Sequence, residues 1–152
     1  MLQALNYMSY VLCTMSYLLR YALVMRVHHH AAAHPEADGR DIFSGTVRTQ
    51  PLVGEGEGEH VFLTLVSFSA GARTKWHRHS FEQGLVIVEG KGIVATEAAE
   101  HVVLPGDVVY VPAAEKHWHG ATETTPMAHI AINQAGETTV LQPVERILTQ
   151  NP

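Results

Sequence analysis

Residues 71–90 read GARTKWHRHSFEQGLVIVEG, and both the fold and the chemistry can be predicted outward from this stretch. Its spacing is Gly71-x5-His77-x-His79-x3-Gln83-x6-Gly90. Side chains two residues apart on a β-strand point to the same face, so His77 and His79 can present both imidazoles to one point. A turn over residues 80–82 then lets Gln83 enter the next strand on that same side. The stretch therefore predicts half of a polar site inside a β-structure.

A second segment, Gly106-x5-Pro112-x4-His117, supplies the other half of this site. It places a third imidazole on a returning strand, and His119, two residues further on, shares its inward face. Three inward histidines without a metal would each need hydrogen-bond partners, which is costly in a small core. Histidine is also the commonest metal ligand in proteins. The three histidines His77, His79 and His117 therefore predict a bound metal ion.

The chain from about Asp41 onward consists of short strand-like runs separated by glycine, proline and acidic turns. These runs are Val61–Phe68, Leu85–Val88, Gly92–Thr96, His101–Leu104, Asp107–Val111 and Met127–Asn133. Their β-branched and aromatic content, and a spacing of roughly ten residues, are typical of an all-β barrel or sandwich. The turns at 89–92 and 105–107 separate neighbouring strands. No glycine-rich phosphate loop precedes a helix in this sequence, which disfavours a nucleotide-binding α/β fold.

The two histidine segments resemble the paired motifs of the cupin superfamily, in which two histidines, a Glu or Gln, and a later histidine bind one metal. The resemblance is closer to a group of small bacterial single-domain cupins that includes manganese-dependent hydroxynitrile lyases. It covers residues 40–135 and is carried by Phe43–Arg48, Thr74–His79, Gln83–Val88, Gly106–Val109, Glu115–Ala121 and Met127–Ile132. It implies an all-β cupin double-stranded β-helix, a jelly-roll barrel, over residues 36–140.

The resemblance also assigns roles to individual residues. It implies that one divalent metal ion is bound by His77, His79, Gln83 and His117. Manganese is the ion it favours, although iron, cobalt, nickel and zinc suit the same nitrogen and oxygen donors. The residues that match the lyases' pocket are His119, the favoured general base, together with His129 and Thr74. On a regular strand Thr74 would face away from His77, so a bulge or bend is expected between them.

Gln83 sets the charge of the predicted site. Three neutral imidazoles and a neutral amide leave the full +2 charge on a divalent ion, which raises its Lewis acidity and favours anionic oxygen ligands. A carboxylate at this position would ease oxidation of the metal. The donor set therefore favours deprotonation of a bound hydroxyl over activation of dioxygen.

Three positions depart from the usual cupin pattern. Ser80 replaces a proline, and Glu82 replaces a glycine and is expected to point outward. Ala114 stands where cupins usually carry glycine, so we expect its turn to avoid positive φ. The two tryptophans, Trp76 and Trp118, are expected to pack in the barrel rather than to contact substrate.

Composition limits the partners that this chain can have. Its 152 residues suit one domain, with 46% hydrophobic and 16% charged residues. The net charge is −5 with only 10 Lys and Arg, so nucleic acid is not expected as a partner. The single cysteine, Cys13, cannot form an internal disulfide, and a cytoplasmic location is expected. Of the 11 histidines, the run 28–30 is expected to be a solvated segment.

Residues 1–35 form an N-terminal extension of different composition. An apolar helical face is indicated by Leu5, Met8, Leu12, Met15, Leu19 and Ala22. Polar residues interrupt this run too often for a membrane span. Two interpretations stay open: a helix that packs on the barrel or on a partner subunit, or sequence upstream of a true start at Met25. At the other end, residues 141–152 form a tail in which 143–150 could make one short helix.

The resemblance to cupins, and to the hydroxynitrile lyases among them, leaves three classes of function open. The first is a metal-dependent lyase that cleaves a 2-hydroxynitrile such as mandelonitrile to an aldehyde and cyanide. The second is a cupin dioxygenase, or an isomerase acting on a small carbonyl compound. The third is a non-enzymatic module that binds a small ligand. In each case the partner is a small molecule, and small barrels with exposed edges are expected to form a homodimer or homotetramer.

Overall fold

The computed structural model describes residues 35–54, 57 and 60–145, together with the isolated positions 25, 27 and 29. Every regular element in the described residues is a β-strand. The strands are β1 Glu36–Ala37, β2 Phe43–Ser44, β3 Val47–Val53, β4 Phe62–Phe68, β5 Arg73–Thr74, β6 His77–His79, β7 Gln83–Gly90, β8 Gly92–Thr96, β9 Glu100–Val103, β10 Val108–Val111, β11 His117–Ala121, β12 Met127–Asn133 and β13 Thr138–Val140. The all-β prediction is confirmed.

The strands pair into two antiparallel sheets. One has the order β1-β3-β4-β12-β7-β10, and the other has the order β13-β6-β11-β5-β2, with β8 paired to β11 and β9 paired to β8. Both sheets contribute to one hydrophobic core. Its members include Phe68, Leu85 and Ile87 from the first sheet and Val94 and Ala121 from the second. Burial of these side chains holds the two sheets against each other, which leaves the functional side chains between them.

The six predicted strands are all present, and two of them, Gly92–Thr96 and Met127–Asn133, have the predicted bounds. The spacing of the histidines also predicted strands at β6 and β11, and both are present. The sequence did not predict β3, nor the strands β1, β2, β5 and β13, which have two or three residues. A strand of two or three residues is too short to show the alternation that marks a half-buried strand. Four of the short strands, β2, β5, β6 and β13, carry residues that line the cavity described below.

Gly90 shows why the turn between β7 and β8 requires glycine. Its φ is +76°, and a Cβ at this position would lie 1.9 Å from the carbonyl oxygen of Pro126. The backbone of Gly90 is therefore packed directly against the start of β12, where it pairs with Met127. No larger residue fits without moving one of the two strands.

Ala114 corrects one expectation from the sequence. It has a φ of +65°, so the prediction that its turn avoids positive φ is wrong. The turn is closed by a hydrogen bond of 3.2 Å from the Glu115 amide to the Pro112 carbonyl, which places Ala114 third of four residues, the position where a type II turn needs positive φ. The Ala114 amide also donates to the His79 carbonyl at 2.8 Å. The turn therefore keeps its shape without glycine and fixes the chain just before His117.

Strand β11 is buried on both faces. Its residues His117 and His119 face the space between the sheets, whereas Trp118 lies in a second hydrophobic cluster with Ile93 and Ala95. Trp76 packs against the same cluster, together with Val144. Both tryptophans therefore pack against the barrel, as expected, and neither lines the cavity that the histidines share.

Several predictions concern residues outside the described ranges. These are the helix in the N-terminal extension and most of the short helix over 143–150. Residues 141–145 are described and contain no regular structure. Within the part of the chain that the structure describes, no helix is long and apolar enough to span a bilayer.

Candidate metal centre

Three histidines meet at one point between the sheets. His77 and His79 lie on β6, and His117, the first residue of β11, pairs directly with His77 across the two strands. Their candidate ligand atoms all lie within 4.8 Å of one another, and all three side chains are buried. The alternation of side chains along a strand predicted that these imidazoles lie together, and their positions confirm it.

Backbone carbonyls fix the direction of two of these imidazoles. His77 donates through Nδ1 to the carbonyl of Lys75, and His117 donates through Nδ1 to the carbonyl of Glu115, both at 2.9 Å. A carbonyl oxygen can only accept, so in each neutral imidazole the proton is on Nδ1 and a lone pair is on Nε2. The third histidine, His79, has its Nδ1 2.9 Å from Thr138 Oγ1. In all three rings Nε2 is the nitrogen left for a metal.

Gln83, the first residue of β7, brings its amide to the same point. Gln83 Oε1 lies 3.2 Å from His117 Nε2, while Gln83 Nε2 donates to Asn133 Oδ1 at 2.8 Å. With the His117 proton on Nδ1, two acceptor atoms face each other at 3.2 Å with no proton between them. His79 Nε2 is also buried without a hydrogen-bond partner among the described residues. A divalent cation between these atoms would satisfy all of them, so the residues present fit the metal that the motifs predict.

Burial keeps the cluster neutral. Burial and the proximity of His117 lower the pKa of His77 to about 3 and that of His79 to about 4. Burial also lowers the pKa of His117. Neutral imidazoles are the form that binds metal, so the cluster does not have to release protons to bind an ion near neutral pH.

A second pair of histidines lies beside the cluster. His119 Nδ1 and His129 Nε2 are 3.1 Å apart, and both rings contact Phe68. Burial, followed by the proximity of His129, holds the pKa of His119 well below its usual value, and burial lowers the pKa of His129 to about 3. Both rings are neutral, so this contact is a single hydrogen bond in which one ring nitrogen carries the proton and the other accepts it. When His119 Nδ1 carries that proton, His119 Nε2 keeps a free lone pair and can act as a base.

Thr74 lies in the same cavity because the chain bends after it. Strand β5 ends at Thr74 and β6 begins at His77, and between them the amides of Lys75 and Trp76 donate to the carbonyls of Ile42 and Gln142. The bend expected from parity is therefore present. Thr74 Oγ1 accepts a hydrogen bond of 3.1 Å from the His119 amide. Its own hydroxyl proton is left to donate to a bound molecule.

The cavity that these side chains line has a volume of about 290 Å³. That value is at the lower end of the roughly 300–1,000 Å³ typical of ligand sites, which suits a small substrate. Thr64, Val66 and Ala131 form part of its wall. Arg40 and Phe43 also line it, with the guanidinium 5.3 Å from the ring centroid.

Two polar residues of the site were missed by sequence reasoning. Asn133 follows His129 by four residues on the same strand, so strand alternation places it on the same face as His129, which the resemblance assigned to the pocket, and could have identified it. Thr138 follows a loop, and nothing in its sequence context indicated a contact with His79. Glu82 points outward as expected, and it accepts a hydrogen bond of 2.8 Å from the Tyr110 hydroxyl.

Comparison with known sequences gives a family and two relatives. The family model described as "Cupin domain" matches residues 64–133. An (R)-mandelonitrile lyase of Granulicella tundricola is 41% identical over 112 residues, which are 73% of this chain and 83% of that protein. The dimethylsulfoniopropionate lyase DddW of Ruegeria pomeroyi is 28% identical over 85 residues, which are 55% of this chain and 56% of that protein.

Solved structures agree with this result. A cupin-like protein from Thermotoga maritima superposes with a TM-score of 0.69 at 31% identity, covering 73% of this chain and 87% of that one. The polyketide cyclase RemF from Streptomyces resistomycificus superposes with a TM-score of 0.66 at 18% identity, covering 85% and 90%, and shares the fold alone. The resemblance inferred from the histidine motifs is thereby confirmed, and this chain belongs to the cupin family.

Proposed function

We propose that this chain is a metal-dependent lyase that cleaves 2-hydroxynitriles, such as mandelonitrile, to an aldehyde and hydrogen cyanide. The observation that carries the proposal is the neutral pair His119–His129 in the cavity that is also lined by His77 and His79 of the three-histidine cluster. This arrangement places a base beside a candidate Lewis-acid site. A relative named (R)-mandelonitrile lyase, which is 41% identical, supports the choice of substrate.

The residues that would hold the metal are His77, His79, Gln83 and His117, and manganese is the ion that we propose. When bound, a divalent ion supplies Lewis acidity that lowers the pKa of a substrate hydroxyl. The four donors are neutral, so they do not reduce the charge of the ion. Elemental analysis of the purified protein tests the choice of manganese against iron, cobalt, nickel and zinc.

His119 is proposed as the base. Its Nε2 accepts the hydroxyl proton of the substrate, the oxygen electrons form the carbonyl bond, and the carbon–carbon bond breaks with its electron pair leaving on cyanide. His119 then returns the proton to cyanide, so that hydrogen cyanide and the aldehyde are the products. The partner ring, His129, hydrogen-bonds to His119 Nδ1 and so fixes the orientation of the His119 ring, and the Thr74 hydroxyl donates a hydrogen bond that orients the substrate.

The proposal is tested with manganese-loaded protein and racemic mandelonitrile, by following the absorbance of released benzaldehyde. We expect His119→Ala to lower the rate by roughly 10²–10⁴-fold, the usual contribution of a general base. His101→Ala, on the exposed part of β9, is the matched control and should keep the wild-type rate. Benzaldehyde release no faster than in metal-free protein would contradict the proposed reaction.

A second candidate is a lyase acting on a different substrate. The 28% identity to dimethylsulfoniopropionate lyase DddW favours it, because that relative is also named as a lyase. Headspace detection of dimethyl sulfide from dimethylsulfoniopropionate separates this reaction from nitrile cleavage. Oxygen uptake by iron-loaded protein tests the dioxygenase alternative in the same preparation.

A further inference from the structure

The amide of Gln83 has two ends of nearly the same shape and opposite hydrogen-bonding character. Its oxygen can serve as a metal ligand, whereas its NH₂ group can only donate. Nothing in the immediate cluster chooses between them, because His117 Nε2 carries a lone pair and would accept a hydrogen bond from the NH₂ group. In that reversed orientation the Gln83 amide would occupy the nitrogen through which His117 binds metal.

The choice is made on the other side of the amide. Asn133 ends β12, next to the pair Ile132–Gly84 that joins this strand to β7. Its Oδ1 accepts a hydrogen bond of 2.8 Å from Gln83 Nε2, and the Gln83 side chain is buried. In the orientation that the structure gives Asn133, its Oδ1 faces Gln83, and because Oδ1 only accepts, it attracts the NH₂ group of Gln83 and would repel its oxygen. The amide oxygen is thereby directed at His117 and the cluster.

We propose that Asn133 is a positioning residue, which holds the Gln83 amide with its oxygen toward the metal and keeps its NH₂ group away from His117. Its role is exerted through Gln83. The inference rests on the metal site of the proposed function and is independent of the reaction that the site catalyses.

The test is a double-mutant cycle on metal affinity. In the wild-type background, where Gln83 is present, we expect Asn133→Leu to weaken Co²⁺ and Mn²⁺ binding by roughly 10–100-fold, the usual effect of removing a partner that orients a metal ligand. In the Gln83→Glu background both carboxylate ends are oxygens, so orientation no longer matters. There the same substitution should change affinity by at most about twofold, as for uncoupled sites. Affinities are measured by competition with a chelating indicator dye.

A second readout is the visible absorption of Co²⁺-loaded protein. With Gln83 present, Asn133→Leu should shift the bands toward those of Gln83→Leu, in which the ligand is absent; in the Gln83→Glu background it should leave them unchanged. Equal losses of affinity in both backgrounds would overturn the proposal, because Asn133 would then act through packing. Unchanged affinity in the wild-type background would overturn it as well. If urea unfolding shows that the Asn133→Leu variant does not fold, Asn133→Ala replaces it in both backgrounds.

Discussion

The buried histidine pair makes a quantitative prediction for the metal-free protein at mildly acidic pH. His129 is fully buried, and its pKa of about 3 in the folded chain compares with 6.5 for an exposed imidazole. A lowered folded-state pKa stabilises the fold above pH 6.5, where the ring is neutral in both states. That stabilisation is lost as the pH falls toward 3, because the unfolded chain takes up a proton that the folded chain rejects. Stability should therefore fall on acidification.

The size of this loss follows from the two pKa values. Between about pH 7.5 and pH 5.0 the unfolded ring becomes almost fully protonated while the folded ring stays neutral, which costs roughly 2 kcal/mol. The value changes little for any folded-state pKa below about 4, so it depends only on the ring being buried and neutral. Replacing His129 by leucine removes this titration and leaves an apolar side chain beside Phe68.

The assay is urea unfolding at about pH 7.5 and pH 5.0 in the presence of EDTA. We expect the stability of the wild type to decrease between these pH values by about 2 kcal/mol more than that of His129→Leu. Carboxylates and the more distant histidines titrate in both proteins and cancel in the difference. His119 loses the effect of His129 in the variant, but burial, the largest cause of its lowered pKa, is expected to keep it neutral in both folded proteins. His101→Leu, at an exposed position on β9, controls for the loss of any one histidine. Equal decreases in the wild type and in His129→Leu would refute the reasoning.

Three further predictions concern stability and assembly. Ala114→Gly should stabilise the protein by about 1 kcal/mol, because glycine tolerates the φ of +65° at this turn; a lower urea midpoint than the wild type would contradict this. Adding Mn²⁺ to EDTA-treated protein should raise the melting temperature. At a free Mn²⁺ concentration one hundred times the dissociation constant, the free energy of unfolding should increase by about 2.7 kcal/mol. His77→Ala should abolish this increase, and an increase that persists in the variant would show that the ion binds elsewhere. The expected homodimer or homotetramer is checked by light scattering after size-exclusion chromatography. Val108 is 70% exposed on the edge strand β10 and is a candidate subunit contact. If it is such a contact, Val108→Asp should reduce the measured mass. An unchanged mass would exclude this edge as the contact.

The alternation of side chains on a strand explains how much of the site was predictable. It placed His77 with His79 and His117 with His119, because a period of two residues is fixed by backbone geometry. It also predicted the bend that turns Thr74 inward. The same alternation pointed to Asn133, but an asparagine at a strand end has no distinctive signal until its partner, Gln83, is seen across the sheet.

Other features depended on contacts that are distant in sequence. Thr138 contacts His79 because β13 pairs with β6. That pairing could not be predicted from the sequence, because β13 has only three residues. Ala114 was predicted wrongly because residue type was used to infer φ. In the folded chain the hydrogen bond from its amide to the His79 carbonyl, and the bond that closes the turn, outweigh the preference of alanine for negative φ.

The carbonyls of Lys75 and Glu115 and the side chain of Asn133 bear on which ion this site would bind. They orient the donors in the absence of an ion, so binding would need little reorganisation of these side chains. Nitrogen-rich sites bind the later first-row ions more tightly in the order Mn²⁺ < Fe²⁺ < Co²⁺ < Ni²⁺ < Cu²⁺. A rigid, neutral cage does not reverse that order. The ion bound at this site would therefore depend on the supply of free metals where the chain folds, and the growth medium would help to determine the chemistry of the purified protein.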